Sequence, residues 1–309
     1  MNLFTKILLF WPDIIIFTLT SVIFASICLW NVLPICRPII VCLWIFGFIL
    51  SLSTISYSSP NSWWARSIYK SIMPELKDIN WTINDISKFD HNQQAIYIWY
   101  PHSHFAIAPF AIVAGDMGHS IWKRPIAQCS ASPFFDIPAI RQVSLGFGLV
   151  RSDYDNLKGT LKQGTSLLII PGGAREVTLA QSGQMKLVDG RSGFIRLAQE
   201  MGLPLIPIFA FGENEFFQRP QKENSGIVQS IFKSSGGGFQ PPTMSSIRDW
   251  FTQENIPPLN VVIGHPFKLD ASNTIDTIAN KWKDHVNAIY KKYRPDNYGN
   301  EIEWTSKTS

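Results

Sequence analysis

Charge is scarce in this chain: Asp, Glu, Lys and Arg make up 16% of its 309 residues, against about 25% in an ordinary soluble domain. So small a charged fraction points to a surface that faces lipid. Cysteine is scarce too, and Cys28, Cys36, Cys42 and Cys129 show no C-x-x-C spacing. That excludes a disulfide-built scaffold and a thiolate zinc module, and leaves the cysteines as small hydrophobes. The net charge is only +4, with no dense basic run and no zinc-finger spacing, which excludes a nucleic-acid partner. No Gly-Lys-Ser/Thr follows a glycine-rich turn, no G-x-S-x-G elbow occurs and no H-E-x-x-H is present. A P-loop nucleotide site, an α/β-hydrolase serine nucleophile and a zincin are thereby set aside. No internal repeat is visible.

What is abundant is apolar: 46% of the residues are hydrophobic and 13% aromatic. Two apolar runs, Ile14 to Trp30 and Ile39 to Ile55, flank a short break holding Asn31, Pro34, Arg37 and Pro38. Each is near the lower limit for crossing a bilayer, about 20 residues. The break is short enough to force an antiparallel hairpin that either spans the bilayer or dips into one leaflet. Trp11, Trp30, Trp44, Trp63 and Trp64 sit where interfacial anchors belong, and Lys6, Arg66 and Lys70 outside the pair put both ends on the cytosolic side.

Past Trp63 the pattern becomes globular. Ala95 to Tyr100, Ser166 to Ile170, Leu205 to Phe211 and Asn260 to Ile263 are short apolar runs stopped by Pro or Gly, as strands buried on both faces are. Asp153 to Gln163, Ser192 to Met201 and Thr274 to Tyr293 carry apolar residues at helical spacing. Strands alternating with helices predict an α/β domain with a mixed, mostly parallel sheet flanked by helices. The division expected is a membrane hairpin over 1–62, the α/β domain over 63–295 and a polar, mobile tail over 296–309.

Four segments carry candidate chemistry. In Tyr100-Pro101-His102-Ser103-His104, a His just past a strand end can take a proton from an alcohol and later give it back. The His102-x-His104 spacing also suits a metal pair, but no third ligand stands nearby, so no metal site is expected. Pro171-Gly172-Gly173-Ala174-Arg175-Glu176 brings backbone N–H groups and a carboxylate to another strand end; Gly172 and Gly173 could form an anion-binding nest. Asp189-Gly190-Arg191 opens a helix, where an N-terminus and a cation can hold a phosphate. Phe211-Gly212-Glu213-Asn214-Glu215 puts two carboxylates and an amide at a third strand end.

In this order the segments YIWYPHSH (97–104), IIPGGAREV (169–177), GRSGFIRLAQEMG (190–202), LIPIFAFGENE (205–215) and VVIGHPF (261–267) resemble the type-2 diacylglycerol acyltransferase family, which includes monoacylglycerol and wax-ester relatives. The resemblance runs from the hairpin to about Tyr293. It implies a glycerolipid-acyltransferase-like fold with His102 and Glu176 as catalytic residues. It further implies substrate contacts from Ser103, His104, Gly172, Gly173, Arg175, Arg191, Glu213 and Asn214. Acyl-CoA is then a co-substrate, with no other cofactor; the partners are a neutral glyceride, membrane lipid and, where the chain assembles, a homo-oligomer. The implied location is the endoplasmic reticulum membrane, with lipid droplets as a second site. Where the family shows H-P-H-G or E-P-H-S, this chain has Tyr100-Pro101-His102-Ser103. The H-x4-D pairing of acyltransferases acting on phosphorylated acceptors is missing, since Ile107 and Pro109 stand at that offset from His102 and His104. Diacylglycerol is therefore the expected acceptor. The alternatives are monoacylglycerol, a long-chain alcohol, or a non-catalytic lipid-binding role.

Overall fold

The computed structural model describes residues 79–83, 92–102, 109, 125–135, 144–145, 148–216 and 258–306. The proposed hairpin, Ser103 and His104 lie outside them. Among the described residues no helix is long and apolar enough to cross a membrane.

A seven-stranded sheet dominates. Its strands are β1 (Ile79–Ile83), β2 (Ile96–Tyr100), β3 (Ile126–Ser130), β4 (Val150–Arg151), β5 (Ser166–Ile169), β7 (Leu205–Phe211) and β8 (Leu259–Ile263), in the order β1-β8-β7-β2-β5-β3-β4. Every neighbouring pair is parallel except β7 with β8. The sheet is thus mixed and mostly parallel, as the alternation of elements predicts. A second, two-stranded parallel sheet pairs β6 (Lys186–Val188) with β9 (Glu303–Thr305).

The central strands read as continuous apolar runs because both of their faces are buried. Ile96, Ile98 and Tyr100 of β2 pack in one core with Phe209 and Phe211 of β7, while Tyr97 and Trp99 belong to a second core with Ile206, Ile208 and Val261. The first core is closed by α1 (Tyr154–Lys162), α3 (Gly193–Met201) and α5 (Ile275–Tyr293). Thr274 caps α5, its hydroxyl accepting the Thr277 N–H, and the stripe Ile278, Trp282, Val286, Ile289 and Tyr290 faces inward. Each such side chain contributes about 1.5–3 kcal/mol when fully buried. Trp282 also donates its indole N–H to the Tyr100 hydroxyl at 3.3 Å. Tyr100, the departure from the family pattern, is therefore a core residue.

The stretch after Arg294 is not the mobile tail its composition suggests. Tyr298 and Ile302 are buried, and the segment ends in β9. Lys283 ties it down, forming an ion pair with Asp189 at 2.6 Å and lying 4.9 Å from the centre of the Trp304 ring. Among the described residues five strands escape the sequence reading, namely β1, β3, β4, β6 and β9, as does the helix α2 (Gly173–Leu179).

Candidate active site

Strands β7, β2 and β5 are adjacent and parallel, so their C-terminal ends lie at one edge of the sheet. In open α/β sheets that edge is where ligands are held. The three ends carry three of the four sequence motifs. β2 runs out at Tyr100 and a cis Tyr100–Pro101 peptide, and His102 follows, half-buried. β5 runs out into Pro171 and Gly172, from which α2 starts. β7 runs out into Gly212 and the single-turn helix α4 (Glu213–Phe216).

Glu176 connects the first two ends. It lies in the first turn of α2 and is 1% exposed. One carboxylate oxygen, Oε2, accepts the backbone N–H of His102 at 3.1 Å, and the other, Oε1, accepts the backbone N–H of Val188 at 3.3 Å. Burial pushes this carboxyl up to about 8, against the opposing pull of the two N–H bonds and of the Arg191 charge. Gly172 explains itself here: a Cβ at that position would overlap the Glu176 carboxylate. The glycine makes room for the acid that grips the His102 backbone.

Glu213 holds β2 from the other motif. It is 1% exposed, and its Oε2 accepts the Trp99 indole N–H at 2.6 Å. Trp99 belongs to the second core, whereas Leu187 of β6, beside the Val188 that Glu176 engages, belongs to the first. The two acids therefore secure the same strand end from opposite sides of the sheet. Asn214, 5% exposed, turns its Nδ2 to the Gln181 carbonyl at 3.5 Å and leaves its Oδ1 without a hydrogen-bond partner among the described residues.

The remaining expected residues are more peripheral. Gly173 takes a φ of 57° at the start of α2 and is half-buried, as is Arg175 on the same helix. Arg191 is exposed at the mouth of α3, close enough for its charge to favour the ionised form of Glu176. VVIGHPF is not brought to this edge. β8 runs antiparallel to β7, and Phe267 pairs with Leu205 at the start of β7; His265 thus lies at the opposite edge, its ring 4.4 Å from that of His285. Sequence reasoning misses Trp99 and Val188. The position of Trp99 just inside a strand end was the one available signal; Val188 acts through a backbone amide and leaves no mark in the local pattern.

The model of the diacylglycerol acyltransferase family matches residues 31–302. The chain belongs to that family. Diacylglycerol O-acyltransferase 1 of Eremothecium gossypii is 31% identical over 209 residues, covering 63% of this chain and 44% of that protein. Its namesake from Saccharomyces cerevisiae is 30% identical over 218 residues, covering 65% and 51%. This family member spans about half the length of these curated relatives. Among solved structures, the 1-acyl-sn-glycerophosphate acyltransferase PlsC of Thermotoga maritima matches with a TM-score of 0.43 at 11% identity, over 80% of this chain and 86% of that one.

Proposed function

We propose that this protein transfers a fatty acyl group from acyl-CoA to the free hydroxyl of diacylglycerol, with His102 as general base. Family membership supports the reaction class. The observation that carries the residue assignment is the Glu176 carboxylate seated on the His102 backbone N–H at the joined ends of β2 and β5. A half-buried imidazole fixed at its own backbone, at the ligand-holding edge of the sheet, is the kind of group that can take a proton from an alcohol and return it.

In this reading the acceptor oxygen attacks the thioester carbonyl while its proton passes to the His102 ring. The C–O bond forms, the C=O electrons move onto oxygen, and the tetrahedral adduct then collapses with loss of the C–S bond. Coenzyme A leaves as thiolate and takes the proton back from His102, so the enzyme ends as it began. Positioned proton transfer is worth about two to four orders of magnitude in rate. N–H groups of Gly172 and Gly173, or the Ser103 hydroxyl, are the assigned oxyanion donors. Arg175 and Arg191 are assigned to the coenzyme A phosphates, His104 and Asn214 to the substrate, and Glu176 and Glu213 to holding the β2 end. The hairpin at 14–55 would place this site where both lipid substrates dissolve, in the endoplasmic reticulum membrane or at a lipid droplet. The test is acyl transfer from labelled acyl-CoA in membranes bearing the chain. Diacylglycerol, monoacylglycerol and a long-chain alcohol are offered separately, and triacylglycerol is the expected major product. No labelled ester from any acceptor would leave a lipid-binding role.

A further inference from the structure

Tyr298 lies far along the chain from every motif, yet it is wired into one of them. Its ring is 4% exposed and packs edge-on against Phe211, the last residue of β7, at 5.1 Å between centroids. Its hydroxyl accepts the Gly212 N–H at 2.8 Å and donates to the Glu215 carboxylate, whose two oxygens are each 3.2 Å away. Glu215 in turn accepts the Gly183 N–H at 3.0 Å and the Ser182 hydroxyl at 3.2 Å. Burial, with the adjacent Glu215 charge second, drives the Tyr298 hydroxyl far above the usual phenol range, so it remains a donor at any working pH.

The residues caught between these two bonds are Glu213 and Asn214. Gly212 takes a φ of 101°, and a Cβ there would meet the Pro258 carbonyl oxygen at 2.5 Å. The turn is thus open to glycine alone, and its buried N–H has Tyr298 as acceptor. One bond of Tyr298 fixes the residue before Glu213, and the other fixes the residue after Asn214. Glu213 holds Trp99 beside the His102 segment, and Asn214 presents the buried Oδ1 noted above. The segment bearing Tyr298 is itself pinned: the Gly299 N–H bonds the Gly183 carbonyl at 2.9 Å, and the Tyr290 hydroxyl bonds the Gly299 carbonyl at 2.7 Å.

We infer that Tyr298 is a positioning residue for the acyl-transfer reaction, its hydroxyl setting the Gly212–Glu215 turn so that Glu213 and Asn214 face the reacting groups. The inference rests on the proposed activity. It assigns no substrate contact to Tyr298 itself, so its loss should appear in turnover and not in acyl-CoA binding.

The test uses the full chain in membranes or detergent. Tyr298→Phe keeps the ring and removes the hydroxyl. Ile302→Ala serves as the packing control, because Ile302 is buried in the same segment and has only core contacts to lose. Tyr298→Phe should lower kcat about tenfold with KM for acyl-CoA within about twofold, the split expected when orientation and not uniform binding is lost. Ile302→Ala should lower the melting temperature at least as much while keeping kcat of the folded fraction within about twofold of wild type. Tyr298→Phe turning over at wild-type rate, or Ile302→Ala losing turnover equally, overturns the inference alone. A wild-type chain that acylates no acceptor overturns it together with the proposed activity.

Discussion

Replacing Glu176 by Gln separates positioning from charge, because the side chain keeps its shape and loses one acceptor. Both carboxylate oxygens are in use, on the backbone N–H groups of His102 and Val188. The Gln nitrogen has no lone pair to offer, so one of these two buried N–H groups would face another donor. A buried donor left without an acceptor costs about 1–3 kcal/mol. If that penalty falls on the His102 segment, the base moves, and at about 1.4 kcal/mol per tenfold the loss in turnover is roughly 5- to 150-fold. The pH dependence runs separately. Burial lifts the folded carboxyl from 4.5 to about 8. Below pH 4.5 the folded and unfolded chains both hold the proton. Between there and pH 8 the unfolded chain has released it and the folded chain has not, so stability falls as pH rises, by roughly 5 kcal/mol across the window. Gln does not titrate. Glu176→Gln should therefore be less stable than wild type at pH 5 and recover relative to it by pH 8. The assay is thermal or denaturant unfolding of purified protein at pH 5, 6.5 and 8, paired with acyl-transfer rates at pH 7. An unchanged pH slope together with wild-type turnover would refute both the burial and the positioning arguments.

His102→Ala should abolish transfer while leaving the melting temperature close to wild type, since Glu176 holds the backbone and not the ring; measurable turnover near the wild-type rate would remove His102 from the base role. Glu213→Gln should lower turnover less than Glu176→Gln, because Glu213 reaches the site through the Trp99 indole, and equal or reversed losses in parallel assays would move the main positioning role to the second motif. Gly172→Ala should cost about 1–3 kcal/mol of stability, the usual range for forcing a methyl into filled space, and turnover should fall with it; a stable, fully active variant would mean that Glu176 does not sit where described. Desolvation, outweighing the His265 carbonyl contact, lowers His285 to about 4 from 6.5. The unfolded chain binds the extra proton first as pH falls through that window, so stability drops between pH 6.5 and 4, and His285→Gln should flatten the drop in melts at pH 7 and 5.

Three of the four strands that proved legible have no polar residue set among their apolar ones; β8, with Asn260, was legible from its apolar end and the glycine stop after it. AIYIWY, SLLII and LIPIFAF are apolar without interruption and end at Pro or Gly, and they became β2, β5 and β7. INWTI and IAQCS carry Asn, Thr, Gln and Ser inside the strand, so β1 and β3 left no clear signal; β6 and β9 have three residues each, too few for a period. The segment after Arg294 looked disposable because its composition is polar, and only the fold reveals that Tyr298 and Ile302 find a core. At the site, sequence picked out His102, Gly172, Glu176 and Glu213 because strand ends with Gly, His and acids are uncommon combinations. What each acid holds was not readable. Glu176 takes its partners from a backbone amide on β2's exit and another on β6, and a backbone amide looks the same in every residue. The double glycine suggested an anion nest; that a Cβ at Gly172 would overlap the Glu176 carboxylate is a second demand on the same glycine, and only the fold reveals it.

The central claim is acyl transfer to a neutral alcohol, and it is tested most directly by competition. Membranes bearing the chain receive one labelled acyl-CoA with diacylglycerol and lysophosphatidic acid at equal concentration. Labelled triacylglycerol should dominate, and it should vanish with His102→Ala. Labelled phosphatidic acid as the main product would contradict the account.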